Sequence, residues 1–423
     1  MKSILFTQIE GKSAKYWVFV GWLAAFAVAA LGATWYMEHN GHWVTGMNNQ
    51  IVWGTPHVFA VFLIVAASGA LNVASISSVF GRVMYKPLAR LSTLLALSLL
   101  AGGLMVLVLD LGRPDRLIVA LTTYNFKSIF AWNIYFYNGF LVIVIIYMWM
   151  MLERRMNRYI KLVGLVAFIW RLALTTGTGA IFGFLVARQA YDAAIMAPLF
   201  IVMSFSFGLA VFLLVLIFSY SNTERLLGDA ILRKLKNLLG VFVAAVLYFV
   251  IVQHLTNLYA SEHHGIEAFI LRDGGIYTQI FWIGQIAIGG LIPMALLYHP
   301  TTGKERNMIA LAASMVIIGG FAQLYVIIIG GQAFPLSIFP GFVVSSSFYD
   351  GVVASYVPSL PEVLLGLGGL ATTFLIVAVA MRALPFLPAT LADADVDPNY
   401  VAPEPDRDTK SKDLKIEKAL EPS

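Results

Sequence analysis

Four ionisable side chains lie within or at the rim of long apolar stretches, where such a group costs several kcal/mol unless it is paired or wet. His57 is five residues into the run Val52–Phe80, and His254 is six residues before the end of Leu238–Ala260. At 1.5 Å per residue these histidines are ~8 Å and ~9 Å deep. Asp110 closes the run Leu88–Asp110, so all three share one level near one face. Imidazole titrates near neutrality, so it can hydrogen-bond a carbonyl and pass a proton at physiological pH. A neighbouring carboxylate can fix its tautomer or relay the proton. The plainer alternative is an interfacial imidazole bonded to nearby backbone. Two imidazoles facing each other across a slot could instead ligate a haem b. The lack of a second such pair argues against that.

Arg171 is the deepest charge, ~16 Å from the inner end of its run. Thr175, Thr176, Gly177, Thr178 and Gly179 follow it. Small and hydroxylated residues permit close helix approach and offer acceptors to a guanidinium. Arg171 is therefore an electrostatic gate or a clamp within the bundle. Asn72, Asn133, Asn138, Gln285 and Gln323 are interhelical glue or the lining of a water wire.

Ten apolar runs position these groups. They are Tyr16–Met37, Val52–Phe80, Leu88–Asp110, Ile129–Leu152, Ile160–Val186, Ala194–Tyr220, Leu238–Ala260, Ile276–Tyr298, Met308–Ile329 and Val363–Met381. Each is about the ~20 residues that an α-helix needs to cross a bilayer. The composition agrees: 59% of the 423 residues are hydrophobic and only 12% charged, with mean hydropathy +0.81. A soluble domain carries about 25% charge. With no cysteine the protein can ligate no iron–sulfur cluster, attach no c-type haem and form no disulfide.

Cation placement orients the helices. With a cytoplasmic N-terminus, the outside segments hold only Arg113, Arg116, Lys127, Arg188 and Arg272 of the 28 Lys and Arg; Arg171 is within a span and the rest are inside. A miscounted helix would scramble that split, so ten helices with both termini cytoplasmic are expected. In a membrane protein this placement outweighs the net charge of +5, which is no sign of a nucleic-acid partner. The first run is too long for a signal-peptide core and lacks a small-x-small cleavage site. Residues 1–383 form the transmembrane domain, and 384–423, rich in Pro, Asp, Glu and Lys, reads as a disordered cytoplasmic tail.

Three outer loops stand out. Leu109–Trp132 carries Arg113, Arg116 and Lys127, although basic residues are disfavoured on that side. Asp110 and Asp115 can pair with Arg113 and Arg116 in a self-neutralised turn; otherwise the loop is a docking surface or the rim of a ligand site. Tyr259–Tyr277 holds His263, His264 and Glu267, and reads as exposed surface rather than a metal site, because adjacent histidines point apart. Gly330–Glu362 has no Lys or Arg and is apolar enough to fold back over the bundle or meet another subunit.

The turn LDLGRPDR, after a helix following WGTPHVFAVFLIVAASGALNVAS (Trp53–Ser75), resembles the NrfD/polysulfide-reductase membrane-subunit family. HLTNLYASEHHGIEAFILRDGG (His254–Gly275) and YVIIIGGQAFPLSIFPG (Tyr325–Gly341) are most similar to its DsrP branch, the quinone-interacting membrane subunit of a sulfur-metabolism complex. The likeness covers about residues 45–345. It implies an all-α, ten-helix membrane protein with two four-helix bundles, helices 2–5 and 6–9, and peripheral helices 1 and 10. It implies a quinone (menaquinone or ubiquinone) as substrate, with no haem or iron–sulfur cluster in this protein. The pocket would lie in the first bundle near the outer face, with the family histidine at His57 and with Trp53, Arg113, Asp115 and Arg116 near the entrance. The carry-over to Arg171 and His254 is weaker. Implied partners are a periplasmic ferredoxin-like iron–sulfur subunit, a multihaem cytochrome c, a membrane cytochrome b and a cytoplasmic iron–sulfur subunit, in a bacterial inner membrane. The residues alone fit this: quinone chemistry couples electrons to protons, and a protein with protonatable groups but no redox metal can supply the pocket while a partner supplies electrons. A secondary transporter, which would need matching half-helix breaks, or a passive membrane anchor are the rival readings.

Overall fold

A computed structural model describes residues 4–336, 351–398 and 400. Among these, ten helices are long and apolar enough to cross a membrane: α1 Ala14–Asn40, α2 Thr55–Ser78, α3 Val83–Leu109, α4 Ile129–Leu152, α5 Arg154–Gly183, α6 Met196–Ser221, α7 Asp229–Tyr259, α8 Ile276–Tyr298, α9 Arg306–Ala333 and α10 Leu360–Ala383. Each corresponds to one apolar run, so this is a multi-pass membrane protein.

Helices α2, α3, α4 and α5 pack each on the next, with α5 returning to α2; α6, α7, α8 and α9 close a second ring in the same way. Helix α6 joins the two through α2 and α5, α10 lies on α3 and α2, and α1 rests on α10. Burial follows this order: 89% of the apolar window of α2 is covered, against 22% for α1. Gly69 and Gly208 meet at the seam, where a methyl group on either would strike the other helix's backbone. Small residues allow this close approach where lipid supplies no hydrophobic drive between helices.

Both ends of the described chain lie at one face. Strand β1 (Phe6–Thr7) pairs antiparallel with β2 (Leu387–Pro388), and Tyr220 donates its hydroxyl to Pro388 O at 3.0 Å. Over residues 384–398 this departs from the expectation of disorder. Phe386, Leu387, Leu391 and Val396 are buried, and the local apolar content of 384–391 outweighs the polar average of the tail. Residues 401–423 lie outside the described residues.

Candidate functional site

Helix α2 starts with Gly54 as N-cap and Pro56 in its first turn, where proline's fixed φ is already helical and its missing N–H costs nothing. His57 is therefore in that first turn. Helix α3 packs against α2 and is capped by Asp110, so one helix's beginning meets the other's end, opposite the chain termini. His57 Nδ1 lies 2.9 Å from Asp110 Oδ2, with side-chain exposures of 18% and 1%. Asp110 Oδ1 is buried without a hydrogen-bond partner among the described residues. With the carboxylate ionised, Nδ1–H donates to it and Nε2 keeps a lone pair on the partly open side.

Trp53 stacks on the imidazole, with ring centroids 5.8 Å apart and planes 20° from parallel. Its backbone is clasped by Gln332, whose Oε1 accepts from Trp53 N at 3.0 Å and whose Nε2 donates to Trp53 O at 2.9 Å. Arg188 in turn donates to Gln332 O at 2.9 Å and Gln50 O at 2.8 Å; burial lowers its pKa from the ordinary guanidinium value. Tyr356 donates to the buried Glu362 at 2.6 Å and accepts from Thr55 N. The described parts of the loop between α9 and α10 thus fold back onto the start of α2. Residues 337–350 lie outside the described residues.

His254 belongs to a second pair. Its Nδ1 is 2.7 Å from Glu267 Oε2, while Asn257, one turn further along α7, donates to Glu267 Oε1 at 2.8 Å. Glu267 is fully buried. The sequence expectation of an exposed surface here is wrong: Glu267 turns inward, and His263 is buried with Nδ1 2.9 Å from Gln189 O. His264 Nε2 is 2.9 Å from Leu258 O. His57 and His254 share no hydrogen-bond partner or stacked ring, the latter packing edge-on against Phe281. A cavity of about 20 Å³, lined by Gln253, His254, Gln285 and Gln323, is large and polar enough for a water.

Arg171 is buried in mid-α5, away from both pairs. Its Nη1 donates to Ser68 O at 3.5 Å, eleven residues and ~16 Å along α2 from His57. The guanidinium lies over the rings of Phe168 and Phe205, 4.7 and 5.2 Å from their centroids. It thus ties α5 to α2 and α6. At the turn after α3 Arg113 makes a two-pronged bond to Asp115, both contacts 3.0 Å. That hydrogen bond holds the exposed Asp115 carboxyl below its usual pKa. Asp110 takes no part in this pairing, contrary to the sequence expectation, because its bonded oxygen faces His57. Arg116 is exposed.

Residues 43–336 match the family model described as Polysulphide reductase, NrfD. The chain belongs to this family. It is 28% identical to the Hdr-like menaquinol oxidoreductase integral membrane subunit of Archaeoglobus fulgidus, over 93% of this chain and 100% of that one. It is 27% identical to the putative dimethyl sulfoxide reductase membrane subunit of Halobacterium salinarum, over 86% and 91% of the two proteins. The menaquinone reductase integral membrane subunit of Nitratidesulfovibrio vulgaris is 24% identical, over 88% and 90% of the two. These relatives are membrane subunits of oxidoreductases.

Sequence reasoning about this NrfD-family protein missed Glu267 as the partner of His254, and Gln332 and Arg188 as supports of Trp53. A lone carboxylate inside the apolar stretch GIEAFIL was the available signal for Glu267. Nothing in the order of residues links Gln332 to Trp53.

Proposed function

We propose that this protein is the quinone-interacting membrane subunit of a multi-subunit electron-transfer complex, with the His57–Asp110 pair at the quinone headgroup. One observation carries this reading: a partly open imidazole, backed at 2.9 Å by an almost fully buried carboxylate. The names of the relatives, a menaquinol oxidoreductase subunit and a menaquinone reductase subunit, support a quinone as substrate.

A quinol supplies two electrons and two protons, and the protein's own residues handle only the protons. His57 Nε2 accepts a proton from a hydroxyl, and the resulting imidazolium is stabilised by Asp110; in the reverse direction Nε2–H donates to a carbonyl. The unpartnered Asp110 Oδ1 leaves the carboxylate room for a second donor, so the pair fits a group that arrives with protons. Trp53 holds the imidazole plane. Arg171 acts as a clamp across the helix seam, and the His254–Glu267 pair holds the second ring together.

Electrons pass to or from an iron–sulfur partner on the outer face. Its dock is the turn carrying Arg113, Arg116 and Lys127, beside the exposed Ile118, Val119 and Phe126. The cation distribution puts both termini in the cytoplasm and the His57 end outside, in the cytoplasmic membrane. The stretches His254–Gly275 and Tyr325–Gly341 favour a Dsr-type sulfur-metabolism complex, with cytochrome c, cytochrome b and cytoplasmic iron–sulfur subunits.

The test is optical quinol oxidation by the complex purified with its partners. His57→Ala is expected to lower turnover on the order of 10²–10³-fold with assembly unchanged. Unchanged turnover and quinone affinity would make the protein a passive anchor and end this assignment.

A further inference from the structure

A cavity of about 850 Å³ lies at the opposite end of the molecule from His57. It is lined by the ends of α2 to α5 that share a face with the chain termini, and by residues 4–6 and Pro385. Among the described residues three cations line it, Lys86, Arg90 and Arg154, with no histidine or carboxylate. Among the described residues none of the three is ion-paired. The nearest acidic neighbour in sequence, Glu153, is turned to its own backbone, accepting from Arg155 N at 3.1 Å.

Arg90 is held in place by donating to Pro385 O at 3.0 Å and Met151 O at 2.8 Å, and its guanidinium covers the Phe6 ring at 4.0 Å. Carbonyls orient this cation without neutralising it, and Arg154, a like charge, lines the same cavity. Such a cluster at the ends of membrane helices is stable when an anion sits among the charges. The cavity far exceeds the room a lone phosphate needs. Its rim is apolar, with Leu5 and Val83 exposed beside the cations.

We propose that this cavity binds the phosphate headgroup of one anionic phospholipid, whose acyl chains leave past Leu5 and Val83 into the bilayer. The lipid would bridge the loops that join α2 to α3 and α4 to α5 and the paired chain ends, holding together segments that touch through few backbone bonds. This site shares no residue with the His57–Asp110 pair and does not rest on the quinone reading.

Native mass spectrometry of the full-length protein in neutral detergent tests it, with phosphatidylglycerol and phosphatidylcholine of matched acyl chains in competition. The wild type is expected to retain one phosphatidylglycerol with a preference of about tenfold or more, and Lys86→Gln/Arg154→Gln to bring the preference close to unity. Arg90 is left intact because it anchors two carbonyls, and the melting temperature of the double variant without added lipid verifies folding. Equal retention of the two lipids by the wild type overturns the proposal, as does an unchanged preference in a folded double variant. Displacement of the lipid by a few millimolar inorganic phosphate assigns the cavity to a free anion and overturns the lipid as its ligand.

Discussion

The two histidine–carboxylate pairs are built alike and satisfied differently. Glu267 has both oxygens engaged, by His254 at 2.7 Å and Asn257 at 2.8 Å. Asp110 has one oxygen on His57 at 2.9 Å and the other buried and, among the described residues, unpartnered. A carboxylate with both oxygens engaged fixes an imidazole in place. One with an oxygen in reserve can accept a second donor, at the cost that any unmet buried polar group carries. The first ring therefore has the incomplete site and the second the complete one, although sequence gives the two histidines similar depth.

Loss of His57 is the largest effect expected. Asp110→Asn comes next: the amide keeps the shape but cannot stabilise an imidazolium, so quinol turnover should fall on the order of 10²-fold. The fold should survive, as read by melting temperature. A fall in stability with normal turnover would make the Asp110 pair structural and erase the contrast. His254→Ala should do the opposite. Turnover should stay within about threefold of wild type, because no transition-state contact is removed. The buried Glu267 then loses a partner, so stability should drop by about 1–3 kcal/mol in thermal unfolding. If turnover collapses instead, both pairs are active.

Arg171→Met separates a clamp from a gate. A clamp predicts normal turnover and a stability loss of up to about 2 kcal/mol from two buried cation–π contacts. A tenfold loss of turnover (about 1.4 kcal/mol in the barrier) at unchanged melting temperature would make Arg171 part of the reaction. Asp115→Asn should do least, because its bond to Arg113 is solvent-exposed. Arg113 depresses the Asp115 pKa, so whatever the pair contributes is present above the ordinary carboxylate value, near 4, and is lost as pH falls below it. No step in turnover or stability between pH 6 and 8 should disappear in this variant; a comparison of pH profiles decides it.

Much of the architecture was legible because it is written in local composition. Each span is a continuous apolar run, and a run near 20 residues admits few alternatives in a bilayer. The apolar run begins at Val52, whereas α2 itself starts at Thr55, so His57 is in its first turn rather than five residues in. Partners across loops were less legible. Asp110 could have turned to Arg113 or Arg116, and only the packing of α3 on α2 aims it at His57. Glu267 reads as surface because five of its neighbours within Glu262–Asp273 are polar or charged; the turn Ser261–His263 folds it inward. The segment after Leu384 reads as disordered because averaging over forty residues hides Phe386, Leu387 and Leu391 among acids and prolines.

Sequence alone determined ten membrane helices, their alternating direction and a protein without thiolate ligands for a redox metal. Those properties depend on residues adjacent in the chain, through helical rise, apolar length and side-chain type. Tertiary structure decided which carboxylate meets which histidine, that one pair is left incomplete among the described residues, and that three cations share a cavity at the far end. Those depend on contacts between residues up to hundreds of positions apart, and on the order in which ten similar helices pack.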